Sequence, residues 1–150
     1  MYKKMLVPLD TSDFAEGVLD HVKEISTTRE IPEVVLLSAI EPVTSQTMAY
    51  MGPQNVEESE KRAIAGALQY LETIKNSMSL ERSKVTTVAM TGPAADVILD
   101  YAADNGVDVI VMSSHGRSGV TRVLLGSTAD KILRRSRVPV FLVPALSCRT

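Results

Sequence analysis

Five short apolar runs, separated by stretches with a helical repeat, constrain the fold of this chain more than any other feature in it. They are residues 3–9 (KKMLVPL), 34–40 (VVLLSAI), 84–90 (KVTTVAM), 107–112 (VDVIVM) and 138–143 (VPVFLV). Runs this short, apolar along most of their length, suit strands covered on both faces. Between them, apolar residues recur every three or four positions. Phe14, Val18, Val22 and Ile25 mark one helix that ends near residue 28. Ile64, Ala67 or Leu68, Leu71, Ile74 and Met78 mark a second, over 56 to about 79. Ala94, Val97, Ile98, Tyr101 and Ala102 mark a third, and a fourth runs from Ser127 to about Ser136. The order βαβαβαβαβ predicts an α/β fold, an open parallel sheet with helices on both faces.

The punctuation agrees with these elements. Thr11 or Ser12 is placed to cap the first helix, with Asp13 and Glu16 in its first turn. Pro93 stands near the first position of the third helix, and Asn105-Gly106 ends it. Residues 41–55 (EPVTSQTMAYMGPQN) show no period and read as an irregular flap, in which Met48, Tyr50 and Met51 either cover a ligand or pack on the surface. Pro139 lies inside the fifth run, and a proline there lacks a ladder donor, which predicts an edge strand. That edge, bounded by Val138 and Val143, is apolar, so a homodimer through it is expected. Charges at Val140 and Leu142 are expected to give monomers.

A length of 150 residues suits one domain, 1–150, with an ordered core over about 2–145. No run of roughly 18 apolar residues is present, so no membrane span is expected. The first ten residues, MYKKMLVPLD, read as a strand and not a signal peptide. A single cysteine, Cys148, excludes an intrachain disulfide and a cysteine metal site, and all of this suits the cytoplasm. Residues 1–116 carry net charge −8 and residues 117–150 carry +6. Nucleic acid is nevertheless an unlikely partner, because Arg134, Arg135 and Arg137 close a helix, where cations suit the dipole.

The chemistry concentrates at 107–128. The fourth apolar run breaks into Ser113-Ser114-His115-Gly116, and nine residues later Gly126-Ser127-Thr128 opens a helix. Strand, small-residue loop and helix N-terminus together present free N–H groups and a positive dipole end to one point, which suits a phosphate. In open α/β sheets, ligands bind beyond the carboxyl ends of strands where the winding reverses. The first and fourth strands are the candidates for that switch, so Pro8-Leu9-Asp10 would face Met112 to Gly116. Asp10 suits a ribose hydroxyl or a magnesium ion, and equally a cap of the first helix. Ser127-x-x-Asp130 has the spacing of a capping box, a role compatible with a phosphate at the same N-terminus. Arg117 and Arg122 lie near enough in sequence to neutralise phosphate, Arg122 reading better as a solvated charge. His115 reads as a loop hydrogen-bonding residue, and His21 carries no motif. No G-x-x-x-x-G-K-[ST] or early G-x-G-x-x-G is present, nor a nucleophile–base set.

With MLVPLDTSDFAE near the start and the block from GPAADVILDYAADNG through SSHGRSGVTRVLLGSTADK to VPVFLV, the chain resembles the universal stress protein family over nearly its whole length. The resemblance implies a Rossmann-like sheet of order 3-2-1-4-5 and a dimer through the last strand. One branch of that family binds ATP through G-x-x-G-x9-G-[ST]. The matching positions here are Ser113, Gly116, Gly126 and Ser127, with serine in place of the first glycine. Carried over, the adenine and ribose side is Pro8, Leu9, Asp10 and Ala39. The phosphate side is Met112, Ser113, Gly116, Gly126, Ser127 and Thr128, with Arg117 as helper. The implied ligands are ATP, or ADP or AMP, and Mg touched indirectly by Asp10.

Two further readings stand beside this one. Ser113 favours a member that binds no nucleotide and serves as a dimeric interaction module for an unknown protein partner. An enzyme of the related ATP pyrophosphatase group would show an S-G-G-x-D-S-type loop after the first strand, where this chain has P-L-D-T-S-D. Without an evident base, any hydrolysis is expected to be slow, with nucleotide acting as a regulatory ligand in a stress response.

Overall fold

All five apolar runs become strands of one parallel sheet. The computed structural model describes residues 1–12, 16–114 and 125–144. Its elements are β1 (Lys4–Pro8), α1 (Leu19–Thr28), β2 (Glu33–Ile40), α2 (Ser45–Met51), α3 (Pro53–Met78), β3 (Lys84–Thr91), α4 (Ala94–Asp104), β4 (Val109–Ser113), α5 (Ser127–Arg135) and β5 (Val140–Val143). The sheet order is β3-β2-β1-β4-β5, as expected, and every pairing is parallel.

The three central strands hold the core because both of their faces are covered. Met5, Val7, Val34, Leu36 and Val111 pack with Val22, Leu71 and Ile74, so α1 and α3 cover one face. Leu6, Leu37 and Ile110 pack with Val97, Ile98 and Ile132, so α4 and α5 cover the other. Each fully buried aliphatic side chain of this kind contributes about 1.5–3 kcal/mol relative to exposure. The edge strand β3 is only half-buried, in keeping with its paired threonines.

Four expectations need correction. The regular part of α1 starts at Leu19, with Val18 at the N-cap and no side-chain cap. Thr11 adopts φ 69°, and the Ser12 N–H and hydroxyl both turn back to the Asp10 carboxylate. One helical bond, from the Glu16 N–H to the Ser12 carbonyl, prefigures the helix; Asp13 and Phe14 lie outside the described residues.

Residues 45–51 and 53–55 are helical, while 41–44 have no regular structure, as expected. The Thr44 hydroxyl accepts the Thr47 N–H at 3.3 Å and caps α2, and the Asn55 amide donates to the Met51 carbonyl at its other end. Gly52, at φ 78°, separates α2 from α3, and Pro53 opens α3 where its missing N–H costs nothing. The second helix therefore begins three residues before Val56. The proline and glycine at 52–53 mark a junction between helices. Helix α2 buries none of its residues, and Tyr50 is 96% exposed.

The fifth strand starts at Val140, after Pro139. The proline keeps its carbonyl in use, accepting the Ile110 N–H at 3.0 Å, while its missing donor falls outside the ladder. The capping box is also displaced. Gly126 is the N-cap of α5, Ser127 is its first helical residue, and the Asp130 carboxylate turns to Arg134 at 3.0 and 3.1 Å. Among the described residues, no helix is long and apolar enough to cross a membrane.

Candidate functional site

The site begins where β1 and β4 part. The Leu9 N–H donates to Leu37 on β2, whereas the Lys4 carbonyl accepts from Asp108 beside β4. Residues of a strand alternate in the direction they bond, so Pro8 is turned toward β4, where it has no N–H to give. The β1–β4 register accordingly ends at Leu6 opposite Ile110. On the other side β1 stays paired with β2 to Pro8 opposite Leu37. A crevice opens at this switch point, as expected for a sheet wound outward in both directions from its middle.

The crevice is a cleft of about 650 Å³, within the range of small-molecule sites. Its lining includes Pro8, Leu9, Asp10, Ala39, Met112, Ser113, Gly126, Ser127 and Thr128, all singled out from the sequence. Gly116, Arg117, Arg122 and His115 lie outside the described residues, as does Cys148. Met48, Tyr50 and Met51 are not among the residues that line the cleft.

One hydrogen bond assembles the phosphate-like end. The Gly126 N–H donates to the Ser114 carbonyl at 2.9 Å, while the Ser114 N–H reaches Val143 on β5 at 2.9 Å. The start of α5 is thereby tied to the carboxyl end of β4. Gly126 has φ −59° and ψ 153°, and no side chain caps this N-terminus. The first N–H groups of an α-helix have no partner within the helix, and Ser127, Thr128 and Ala129, which carry them here, line the cleft at the positive end of the dipole. Asp130 makes the first intrahelical bond, to the Gly126 carbonyl at 2.9 Å.

Ser113 keeps an ordinary strand conformation. It is the last residue of β4, is buried, and pairs with Val143. Among the described non-glycine residues, positive φ occurs at Thr11, Glu30 and Ser79, so position 113 asks for no glycine conformation.

Asp10 has a local role. Its Oδ1 accepts the Ser12 N–H at 3.0 Å and the Ser12 hydroxyl, an Asx-type turn that holds Thr11 in its left-handed conformation. It lines the cleft as well. Glu41, at the end of β2, brings a second carboxylate to the lining. Among the described residues, no group of three or more His, Cys, Asp or Glu could hold a metal on its own. Among the described residues, the arrangement offers backbone donors, small hydroxyls and two carboxylates, groups that can bind and orient.

Sequence reading missed the wall contributed by α3, where Ala63, Gly66 and Ala67 face the cleft. The signal was the cluster of four small residues, Ala63, Ala65, Gly66 and Ala67, within an otherwise long-chained helix. Ser38, Ile40 and Glu41 were also missed; they follow from Ala39 once the end of β2 is recognised as a wall.

The model of the universal stress protein family matches residues 1–144. The universal stress protein MJ0577 of Methanocaldococcus jannaschii is 34% identical, over 95% of this chain and 95% of that protein. Its solved structure superposes with a TM-score of 0.83 at 33% identity, over 96% of each chain. A universal stress protein solved in complex with cAMP aligns at TM-score 0.67 and 20% identity, over 95% of this chain and 97% of that one. One from Archaeoglobus fulgidus in complex with dAMP aligns at 0.58 and 20%, over 94% and 97%. These last two show a shared fold.

Proposed function

From the premise that the chain belongs to the universal stress protein family, we propose that it binds ATP, or ADP or AMP, in the cleft between β1 and β4 and acts as a nucleotide-responsive homodimer in the cytoplasm. The observation that carries this reading is the uncapped N-terminus of α5, tied by Gly126 to the end of β4 and opening into the same cleft as Asp10. Donors of this kind suit phosphate oxygens. The binding of cAMP and of dAMP by two proteins of the same fold is consistent with an adenine ligand.

In this reading the N–H groups of residues 127–129 take the terminal phosphates, with the Ser127 and Thr128 hydroxyls beside them. Gly116 and Arg117 complete that side. Pro8, Leu9 and Ala39 receive the adenosine, and the Asp10 carboxylate faces ribose. Mg²⁺ keeps several waters and takes one or two carboxylates besides phosphate oxygens. Asp10 and Glu41 fit that need for an ion that enters with the nucleotide, which would neutralise phosphate charge. With no base in place, the nucleotide is a regulatory ligand and any hydrolysis is slow.

The test is thermal unfolding of ligand-stripped protein with and without Mg-ATP. At about a hundred times its Kd a ligand stabilises by roughly 2.7 kcal/mol, a Tm rise of roughly 5–10 °C for a domain of this size. No rise at millimolar Mg-ATP would refute nucleotide binding.

A further inference from the structure

Gly66 has no structural reason to be glycine. It sits deep inside α3, a helix of 26 residues, where glycine is among the poorest choices. Glycine is normally kept in a helix for close packing or unusual backbone geometry. Neither applies: a Cβ built at Gly66 meets no described atom within 4 Å, and its φ is not positive. Gly66 is one of the residues that line the cleft.

Its neighbours repeat the pattern. Along the core-facing side of α3, Val56, Leu71, Ile74 and Met78 are large and buried. Between them, where the helix passes the cleft, the side chains shrink to Ala63, Gly66 and Ala67. Helix α3 packs against β2 and β3, so this wall stands on the β2 side of the switch point. The N–H donors of α5 stand on the β4 side and cover the opposite face of the sheet. A ligand with its phosphates at α5 therefore carries its other end toward α3.

Resting on the nucleotide reading above, we infer that Gly66 is a specificity-determining residue, which keeps open the space that the heterocyclic base of the ligand occupies. The helix gives up stability at this position, and the flat face of the base gains a wall without a protruding side chain.

The experiment compares Gly66→Ala and Gly66→Leu with the parent, using Tm of the ligand-free proteins and calorimetric titration with Mg-ATP and with inorganic tripolyphosphate. Both variants insert a better helix former, so the ligand-free Tm should rise, by about 2–4 °C for alanine. Leucine should lower Mg-ATP affinity roughly ten- to hundredfold by filling the base end, while tripolyphosphate binds as in the parent. Alanine should change Mg-ATP affinity less than leucine does. A Gly66→Leu protein that binds Mg-ATP like the parent overturns this inference alone, as does equal loss of both ligands. A fall in ligand-free Tm for the alanine variant overturns it too, since the fold would then require the glycine. A parent that binds no Mg-ATP overturns the nucleotide reading and this inference together.

Discussion

The N–H of Gly126 donates to the carbonyl oxygen of Ser114 across 2.9 Å. Twelve positions separate the two residues, and this single bond sets the first turn of α5 against the carboxyl end of β4. It also uses the glycine's one donor. The residue that makes the bond is the N-cap, and it brings no side chain to the orphan N–H groups that follow it. Serine, aspartate or asparagine would cap this helix better. Glycine at this position leaves those donors without a side-chain cap.

Gly126→Asp should therefore move stability and binding in opposite directions. The backbone at Gly126 is already in the extended region that N-cap residues use. An aspartate there satisfies an orphan N–H and suits the dipole, so stability should rise by about 0.5 kcal/mol and Tm by about 1–2 °C. Its carboxylate occupies the place proposed for phosphate, so the Mg-ATP-induced Tm shift should vanish. Thermal melts of both proteins with and without Mg-ATP decide this. Retention of the ligand shift in the variant would remove the phosphate from the start of α5.

Asp108 gives the fold a pH-dependent clasp. Its Oδ2 accepts the N–H of Lys3 at 2.7 Å and of Lys4 at 2.9 Å, which holds its carboxyl below the usual carboxylate range. A carboxylate with a depressed pKa in the folded state stabilises fully above its unfolded value, about 3.9, and loses that contribution as pH falls through the folded pKa. Asp108→Asn should then be less stable than the parent by about 1 kcal/mol at pH 7. The gap should close below about pH 4. Urea denaturation of the pair from pH 7 down to pH 3 reads this directly, and a gap independent of pH would show that charge plays no part.

The three central strands were legible because each is a short, nearly continuous apolar run, and burial on both faces leaves few other states for such a run. The switch point followed from their order, and with it the meeting of Asp10 with Ser113 and Gly126. The α3 wall was not legible. A helix shows in its sequence which face is apolar, but not which strand ends it passes, and Gly66 lies outside the apolar stripe that identified the helix. Helix α2 was hidden for a different reason. Its seven residues bury nothing, so no periodicity marks them, and the Thr44 cap and the Gly52-Pro53 break resemble loop residues until they are seen as ends. The start of α5 at Ser127 was legible, but its cap was not, because glycine caps nearly as well as threonine. The cap's position decides whether Ser127 serves its own helix or faces the cleft.

The turn into α4 depends on Gly92. Its φ is 151°, and a Cβ there would lie 2.7 Å from the Val97 side chain. Its N–H also reaches the Ile40 carbonyl at 2.9 Å, joining the carboxyl ends of β2 and β3. Gly92→Ala should cost about 2–4 kcal/mol by combining a strained backbone with a clash against a buried residue. Adding Val97→Ala removes the clash but not the strain. In a double-mutant cycle by urea denaturation, the second change should cost less in the Gly92→Ala background than in the parent. Additive costs would mean the clash relaxes freely.

The proposed homodimer is best probed at Phe141. Val140 and Leu142 pack against the chain's own core, so charges there would unfold β5 and say little about assembly. Phe141 is 47% exposed and rests against His21, with ring centroids 6.3 Å apart. β5 lies at the sheet edge, paired on one side with β4. Joined edge to edge about a twofold axis, two β5 strands would bring the two copies of residue 141 near one another. Phe141→Lys then removes apolar contact and sets like charges together, a device that blunts strand edges. Light scattering should give a dimer of about twice 16.3 kDa for the parent and a monomer for the variant, with circular dichroism unchanged. A variant that remains dimeric would place the interface away from β5. A parent already monomeric at micromolar concentration would exclude the dimer, and leave the cleft to act within a single chain.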